Sequence, residues 1–240
     1  MTAALTVSIV VPILNEADNL PKLFEHLHQL TAKPQQIIIV DGGSIDGSFT
    51  LAQSLMTEMI TIQQSAIDWQ VLASSAGRAL QMNRGAALAS GDVLLFLHAD
   101  TKLPNQAMTE IALAITQAKW GRFDVHLDSN KLLLKLVGSM INLRSRLSGI
   151  ATGDQAIFVR RRIFEQLGGY PNQALMEDVE ISKRLKAIGK PACLTSKVIT
   201  SARRWQQHGT WHTILLMWRL RFDYWRGVSP DSLKRHYYNT

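Results

Sequence analysis

Carboxylate side chains border the apolar segments of this sequence, and their positions are suited to chemistry. Asp41 and Asp100 each follow an apolar run, Glu16 follows another one, and the pair Glu177-Asp178 precedes an amphipathic segment. A carboxylate can hold a divalent cation, accept a hydrogen bond from a hydroxyl group, or remove a proton from a nucleophile. Brought together, these residues would suit a reaction on a polar or phosphorylated substrate.

Two common phosphate-binding signatures are missing. The sequence contains no G-x-x-x-x-G-K-[ST], and no G-x-G-x-x-G follows a predicted strand. It therefore gives no support to a P-loop ATPase or to a dinucleotide-dependent oxidoreductase.

The first hundred residues alternate strand and helix patterns. Short apolar runs predict strands at 5–11, 37–40, 69–73 and 93–97. Strands that alternate with helices form parallel sheets with right-handed crossovers, and ligands bind at the carboxyl ends of such strands. We therefore expect an α/β fold with Asp41 and Asp100 at one ligand-binding edge.

The second half has longer amphipathic segments. The alternation over 120–127 predicts an edge strand, and the apolar spacing over 132–141 predicts an amphipathic helix. No linker or internal repeat interrupts the chain. We expect one domain over residues 1–205, with a helical extension over residues 206–240 packed on it.

Composition limits the class of protein. The chain has 240 residues, 46% of them hydrophobic, and a formal net charge of +7, which favours an anionic partner. The single cysteine, Cys193, excludes a disulfide framework and a thiolate zinc cluster, and it fits a reducing cytosol. No secretory signal and no membrane-spanning run is visible, so we expect a cytoplasmic protein, with the inner face of the cell membrane as a further site.

The C-terminal segment combines aromatic and basic residues. At helical spacing it carries Trp211, Leu215, Trp218, Phe222 and Trp225. Seven basic side chains against two acidic ones lie between positions 199 and 240. This pattern suits peripheral contact with an anionic membrane surface. A helix packed on the core or in a homodimer interface explains the same spacing. The same alternatives, membrane contact or packing, apply to the predicted helix over 132–141.

Five segments in order resemble the inverting family 2 glycosyltransferases of GT-A fold, over residues 7–205. The family's P-x-x-N-E corresponds to 12–16, its D-x-x-S-x-D-G to 41–47, its D-x-D to 98–100, its E-D pair to 177–178, and the end of its Q-x-x-R-W to 204–205. A small bacterial branch is marked further by H-A-D-T, G-D-Q-x-x-F-V-R-R and S-A-R-R-W, all present here. Some members of that branch carry the label arsenosugar biosynthesis.

The resemblance implies a Rossmann-like, mixed but mainly parallel sheet flanked by helices, and transfer of a sugar from a nucleotide-diphosphate sugar to a hydroxyl acceptor. It implies that Asp41 accepts a hydrogen bond from the base and that Glu16 contacts the ribose. The expected donor-binding residues are Pro12, Asn15, Glu16, Asp41, Gly43, Ser44, Arg78, Asn83, Asp100 and Arg204. A UDP-type donor is favoured because UDP is the family's commonest carrier.

The resemblance also implies a divalent cation, Mg²⁺ or Mn²⁺, bound by Asp100 beside the diphosphate. His98 replaces the first acid of the D-x-D pattern, which removes one negative charge from that site. His98 is therefore expected either to ligate the metal through nitrogen or to pack beside it.

Asp178 is the expected general base, which takes a proton from the acceptor hydroxyl while that oxygen displaces the diphosphate with inversion. The simpler interpretation is that Glu177 and Asp178 stabilise a helix N-terminus. The expected acceptor-binding residues are Asp154, Gln155, Glu177 and Trp205. The acceptor is expected to be a hydroxyl compound, with a lipid-linked one among the candidates.

Two other functions compete with glycosyl transfer. A sugar-phosphate nucleotidyltransferase has a similar fold, but the loop 12–16 lacks the Gly-rich sequence usual in that class. A basic nucleic-acid-binding or membrane-binding module explains the charge of the C-terminal segment. It leaves Asp41, Asp100 and Asp178 unexplained, since acids repel a phosphate backbone, and no nucleic-acid partner is expected.

Overall fold

A computed structural model describes residues 5–207 and 209–238. Within them, one sheet of eight strands has the order β3-β2-β1-β4-β7-β6-β8-β5. The strands are β1 (Val7–Ile13), β2 (Gln36–Asp41), β3 (Asp68–Ala73), β4 (Val93–Phe96), β5 (Thr101–Lys102), β6 (Trp120–Asp128), β7 (Phe158–Arg160) and β8 (Ala192–Ser201). Strands β7 and β5 run antiparallel to their neighbours and the other six run parallel to one another. The predicted mixed, mainly parallel sheet is confirmed.

Helices connect the strands and cover both faces of the sheet. They are α1 (Leu20–Gln29), α2 (Ser48–Thr61), α3 (Arg78–Ala86), α4 (Ala107–Gln117), α5 (Leu132–Ser148), α6 (Arg161–Gln166), α7 (Glu177–Ile188), α8 (Arg203–Gln207), α9 (Thr210–Trp225) and α10 (Pro230–Tyr238). A short 3₁₀ turn, Gly153–Gln155, precedes β7.

The core has two layers because successive side chains of each strand point to opposite faces. In β1, Ile9 packs with α1, α2 and α4 on one face. Its neighbour Val10 packs with α3, α6 and α7 on the other. This sandwich fixes the carboxyl edge of the sheet, where β1, β2 and β4 end.

The prediction that residues 120–127 form an edge strand is wrong, because β6 lies between β7 and β8 inside the sheet. The polar residues behind the alternation, Arg122 and Asp124, are buried and form a salt bridge. Arg146 of α5 also bonds Asp124, at 2.8 Å, and the Arg122 guanidinium donates to the Asn142 carbonyl at 3.3 Å. An ion-pair network of Arg122, Asp124 and Arg146 therefore joins the internal strand β6 to α5.

Helices α5 and α9 present large apolar side chains to solvent. The apolar face of α5 consists of Leu132, Leu136, Met140, Leu143 and Leu147. The apolar face of α9 consists of Trp211, Leu215, Trp218, Phe222 and Trp225. Each of these ten side chains is more than half exposed, whereas other residues of the same helices, such as Leu134 and Leu220, are buried.

The predicted helices at these two places are confirmed. The apolar spacing of α9 marks an exposed face, whereas the spacing over 132–141 includes exposed residues as well as Val137 and Ile141, which pack on the core. Ile141 of α5 and Ile214 of α9 pack against the same buried cluster around Leu134. No helix within residues 5–207 and 209–238 has the length and apolar character to cross a bilayer.

Candidate active site

The loop after β2 builds a tight turn around Asp41. The Asp41 carboxylate is 3% exposed and accepts hydrogen bonds from the backbone N–H groups of Gly43 (2.8 Å) and Ser44 (3.0 Å). It also accepts one from the Ser44 hydroxyl (2.5 Å). Gly43 has φ +88°, a conformation that glycine adopts without strain. Three of the lone-pair positions of Asp41 are thus used internally, and one remains for a ligand.

The loop after β1 docks on that turn. The Asn15 backbone N–H donates to the Ser44 hydroxyl at 2.8 Å, and the Asn15 side-chain oxygen accepts from the Ile45 N–H at 2.9 Å. Asn15 has φ +55°, a region that asparagine tolerates better than most residues. Pro12, half-buried in β1, lies beside Val40 of β2. The structure therefore brings these donor-binding candidates together.

Asp100 and Glu16 form an acidic pair with arginines beside them. Burial raises the pKa of the Asp100 carboxyl, and the positive charges of Arg203 and Arg78 oppose that rise. Burial also raises the pKa of Glu16, with the charge of Asp100 adding to it and a hydrogen bond from Asn19 opposing it. The two arginines and two carboxylates make a polar site suited to a diphosphate and a cation.

His98 lies against the backbone of the 3₁₀ turn. A Cβ atom on Gly153 would lie 2.6 Å from His98 Nε2, so only glycine fits there without a shift. Burial, assisted by the charge of Arg78, lowers the pKa of His98 to about 3, so the imidazole is neutral. The Nε2 atom of His98 lies close to the backbone of Gly153.

The Glu177-Asp178 pair begins α7 after a strained residue. Met176, before the helix, has φ +65°, uncommon for a residue that is not glycine. Asp178 Oδ2 accepts the Gly153 N–H at 2.8 Å, and Oδ1 accepts the Val179 N–H at 2.7 Å. Asp178 therefore accepts a backbone N–H in the first turn of its own helix and also lines the cleft that holds His98. Its role as a general base stays a prediction.

Glu177 forms a salt bridge with Arg78 and lines the same cleft as Asp178. Glu177 is 3% exposed, and its Oε1 lies 3.3 Å from Nη1 of Arg78, the first residue of α3. Burial raises the pKa of Glu177, while the charge of Arg78 opposes that rise. The charge of Arg78 also adds to the lowering of the pKa of His98 and opposes the rise in the pKa of Asp100. The salt bridge with Glu177 therefore holds the Arg78 guanidinium near both residues.

Two predicted ligand contacts have structural roles instead. The Asn83 amide bonds both the N–H (2.8 Å) and the carbonyl (2.9 Å) of Tyr170, so it would have to release that loop to bind phosphate. Gln155 is fully buried, and its side-chain oxygen accepts from the Thr152 N–H at 3.3 Å. It holds the 3₁₀ turn and does not open onto the cleft.

The remaining candidates for acceptor binding, Asp154 and Trp205, lie in the 3₁₀ turn and in α8. Burial raises the pKa of Asp154, opposed by a hydrogen bond from the Thr152 hydroxyl. Trp205 packs against the buried cluster that contains Leu134. The side chain of Arg204 lies outside the described part of the chain.

Sequence reasoning missed four residues at the site: Arg203, Arg144, Arg221 and Tyr170. The Tyr170 ring packs edge-on against Phe96 and lines the cleft beside Glu177 and Asp178. Arg203 lies in the S-A-R-R-W segment, so its motif could have indicated it. Arg144 and Arg221 lie among other basic residues on amphipathic helices, where no sequence signal separates a site residue from a solvated one.

The side chains of the site fit a cation that is bound partly by the protein and partly by the substrate. Within the described residues, no three His, Cys, Asp or Glu side chains converge as a metal cage requires. Asp100 offers hard oxygen ligands at a partly open position. Mg²⁺ sites commonly combine one or two carboxylates with substrate phosphates and water. This chemistry suits Asp100 with a diphosphate.

Comparison with known proteins identifies relatives of the chain. The family model described as Glycosyl transferase family 2 matches residues 8–168. The chain is 32% identical over 164 residues to an undecaprenyl-phosphate 4-deoxy-4-formamido-L-arabinose transferase of Yersinia enterocolitica, covering 64% of this chain and 47% of that protein. It is 30% identical over 175 residues to a PGL/p-HBAD biosynthesis glycosyltransferase of Mycobacterium bovis, covering 70% and 64%. The chain thus spans about half the length of the first of these relatives.

Solved structures share the fold at low identity. The mannosyltransferase PcManGT from Pyrobaculum calidifontis, in complex with GDP-Man and Mn²⁺, has a TM-score of 0.66 at 16% identity, covering 98% of this chain and 68% of that one. S. aureus TarS 1-349 in complex with UDP has a TM-score of 0.65 at 15% identity, covering 82% and 60%. The predicted GT-A architecture is confirmed by these neighbours.

Proposed function

This chain belongs to glycosyl transferase family 2, and on that premise we propose that it transfers a sugar from a nucleotide-diphosphate sugar to a hydroxyl acceptor with inversion. The observation that carries the proposal is that Asp41 and Asp100 lie at the carboxyl ends of strands in one sheet and that Asp178 bonds the turn packed against His98. Asp41 is the last residue of β2, Asp100 lies between β4 and β5, and Asp178 accepts a hydrogen bond from the Gly153 N–H. Residues 206–240 form a helical extension of the same catalytic unit in this proposal.

The donor occupies the side of the cleft formed by the loops after β1, β2 and β4. Asp41 accepts a hydrogen bond from the base, and Glu16 accepts one from a ribose hydroxyl. Arg78 and Arg203 hold the diphosphate through charge-assisted hydrogen bonds. The structural neighbours bind UDP in one case and GDP-Man in another, and we favour a UDP-type donor for this chain.

Asp100 would hold Mg²⁺ or Mn²⁺ together with the diphosphate. Such a cation supplies Lewis-acid stabilisation of the negative charge on the leaving nucleoside diphosphate. Neutral His98 fits this arrangement because it adds no positive charge beside the cation.

Asp178 acts on the acceptor. Its two oxygens are held by the N–H groups of Gly153 and Val179, and lone pairs remain to accept a proton. The acceptor oxygen attacks the anomeric carbon and gives its proton to Asp178, while the bond from that carbon to the diphosphate oxygen breaks. A single displacement of this kind inverts the anomeric configuration.

A thermal-shift screen of nucleoside diphosphates, with and without Mn²⁺, tests the donor site. We expect one nucleotide to raise the melting temperature in a Mn²⁺-dependent manner, since a ligand stabilises by RT ln(1 + [L]/Kd). Asp100→Asn should abolish the Mn²⁺-dependent part, while Asp18→Asn, an exposed acid of the neighbouring loop, should preserve it. Equal Mn²⁺ dependence in wild type and Asp100→Asn would contradict the proposed metal site. Release of pyrophosphate in place of nucleoside diphosphate during turnover would favour the nucleotidyltransferase.

We also propose that the apolar faces of α5 and α9 contact the cytoplasmic leaflet of a membrane, where a lipid-linked acceptor is held. Ten exposed apolar side chains, three of them tryptophan, lie on two helices that pack against one buried cluster. The exposed basic residues Lys131, Lys135, Arg219 and Arg226 lie on or beside those helices. Amphipathic helices with tryptophan and basic residues bind anionic interfaces.

Vesicle sedimentation tests this contact. We expect binding to vesicles that contain phosphatidylglycerol, weaker binding to neutral vesicles, and release at high salt. Replacing both Trp211 and Trp218 by serine should reduce binding at least about tenfold, since each indole buries a large apolar area. Leu113→Ser, which removes an exposed apolar side chain on α4, is the matched control. Vesicle binding that is absent, together with a concentration-dependent dimer, would assign these faces to a homodimer interface.

A further inference from the structure

The acidic pair at the start of α7 is bracketed by two buried apolar residues. Met176 comes directly before Glu177-Asp178 and Val179 directly after it, and their side chains are 8% and 9% exposed. Residues three positions apart lie on the same side of a helical turn, so Met176 and Val179 share one side. Asp178 lies between them and lines the cleft. The turn that carries the carboxylate is therefore held from its other side.

The C-terminal helices supply the residues that hold this turn. Met176 and Val179 form one buried cluster with Leu220 of α9 and Leu233 of α10. Both leucines are 1% exposed, although the apolar face of α9 is open to solvent. The extension after β8 therefore packs directly against the first turn of α7.

The backbone before α7 depends on such support. Met176 has φ +65°, in the left-handed region that is uncommon for residues other than glycine. A residue in such a conformation persists only where the surrounding structure holds it, and residues of this kind cluster at active sites. The preceding loop is also tied to α9, because the Gln173 amide donates to the Leu175 carbonyl at 2.9 Å and to the Tyr224 hydroxyl at 3.4 Å. Packing and hydrogen bonds thus fix the approach to Asp178 together.

The same cluster supports the hydrogen-bond partner of Asp178. The Asp178 Oδ2 atom accepts the Gly153 N–H at 2.8 Å. Ile150, three residues before Gly153, packs against the cluster from its own side. Both ends of this hydrogen bond therefore rest on side chains of α9 and α10. A misplacement of a reacting group by about 1 Å can lower a rate about 10²-fold, so a small shift of these helices would matter for the chemistry.

We propose that Leu220 and Leu233 are positioning residues, which hold the first turn of α7 so that the Asp178 carboxylate stays bonded to the Gly153 turn at the cleft. This inference rests on the proposed function, in which Asp178 is the general base. It gives the C-terminal helices a part in the reaction through packing. Loosening them lowers kcat and leaves donor binding, which belongs to the loops after β1 and β2, unchanged.

Amide hydrogen exchange followed by NMR tests the positioning without a substrate. In the wild type, the bond to Asp178 protects the Gly153 N–H. We expect Leu220→Ala and Leu233→Ala to speed exchange at Gly153 at least about tenfold, because exchange at this amide reports local opening. Leu27→Ala is the matched control, since it truncates a fully buried leucine of α1 on the other face of the sheet. It should leave exchange at Gly153 unchanged.

A series of substitutions at Leu233 separates positioning from a general loss of packing. Leu233→Met conserves the volume of the side chain and should keep the wild-type exchange rate at Gly153. Leu233→Val is the smaller truncation, which keeps the test available if Leu233→Ala does not fold, and it should give an intermediate rate. Wild-type exchange at Gly153 in Leu220→Ala and in the truncations of Leu233 would overturn the proposal. Equal acceleration by Leu27→Ala would overturn it as well.

Turnover provides the second readout. Release of nucleoside diphosphate is measured with UDP-GlcNAc and with GDP-Man as probes, in the presence of Mn²⁺. We expect Leu233→Ala to lower kcat at least about tenfold while KM for the sugar nucleotide stays within about twofold. Leu233→Met should restore wild-type kcat, and Leu27→Ala should retain it. The exchange measurement decides the proposal even if neither probe is a substrate.

The two readouts distinguish failure of this inference from failure of the proposed function. If a probe is turned over and Leu233→Ala keeps the wild-type kcat, the positioning role fails and glycosyl transfer stands. If Leu233→Ala speeds exchange at Gly153 but no nucleoside diphosphate binds the wild type in the thermal-shift screen, the proposed function fails. The packing link from α10 to Asp178 then remains.

Discussion

Asp178→Asn is expected to lower turnover by at least roughly 10²-fold while nucleotide binding is retained, because a positioned general base contributes about 10²–10⁴-fold to the rate. Asparagine keeps the size of the side chain, and its oxygen still accepts the N–H of Gly153 or Val179. It cannot take the acceptor proton. The loss should therefore fall on kcat with little change in donor affinity.

The measurement is release of nucleoside diphosphate in the presence of acceptor, together with calorimetric binding of the nucleotide. Glu180→Gln is the matched control, since Glu180 lies on the same helix and pairs with Lys183 and Arg184 at its surface. Near-wild-type turnover in Asp178→Asn would remove Asp178 from the role of base and leave the helix-capping interpretation.

Asp124→Ala is expected to destabilise the protein by about 3–5 kcal/mol, the cost of leaving one partner of a buried ion pair uncompensated. The Arg122 side chain is fully buried, and Asp124 joins it to Arg146 of α5. The Nε atom of Arg122 already lacks a partner within the described residues, so little else nearby can absorb the charge.

Urea unfolding measures this loss as a lower transition midpoint at an unchanged slope. Asp128→Ala, on the exposed end of the same strand, should change stability little. A double variant, Arg122→Met with Asp124→Leu, should recover much of the loss because it removes both buried charges. If Asp124→Ala unfolded at the wild-type midpoint, the network would contribute nothing to the joint between β6 and α5.

Strands β1, β2 and β4 of the parallel half were predictable because they are buried on both faces. Runs such as 37–40 are continuously apolar, which few other structures produce. Strand β8 had no such signal, since of its ten residues only Val198 and Thr200 are buried. The alternation in β6 suggested an edge because sequence alone does not show that Arg122 and Asp124 neutralise each other inside the sheet.

The acidic residues of the site were predictable from their place after strands and from family motifs, whereas its cations were mostly not. Arg144 and Arg221 are distinguished from Lys135 and Arg219 by partial burial, which sequence alone does not show. That burial is decided by packing, and the apolar spacing of α9 marked the solvent-facing side of that helix. Asn83 and Gln155 were predicted as ligand-binding residues from their motifs, but their side chains form hydrogen bonds with backbone groups.

The cleft draws its two sides from distant parts of the chain, and this orders its assembly during translation. In the proposed function, the loops that would bind the donor lie within about the first hundred residues, apart from Arg203. The turn at Gly153 and the helix of Asp178 are synthesised later. Under that proposal, transfer therefore waits until α7 has been made.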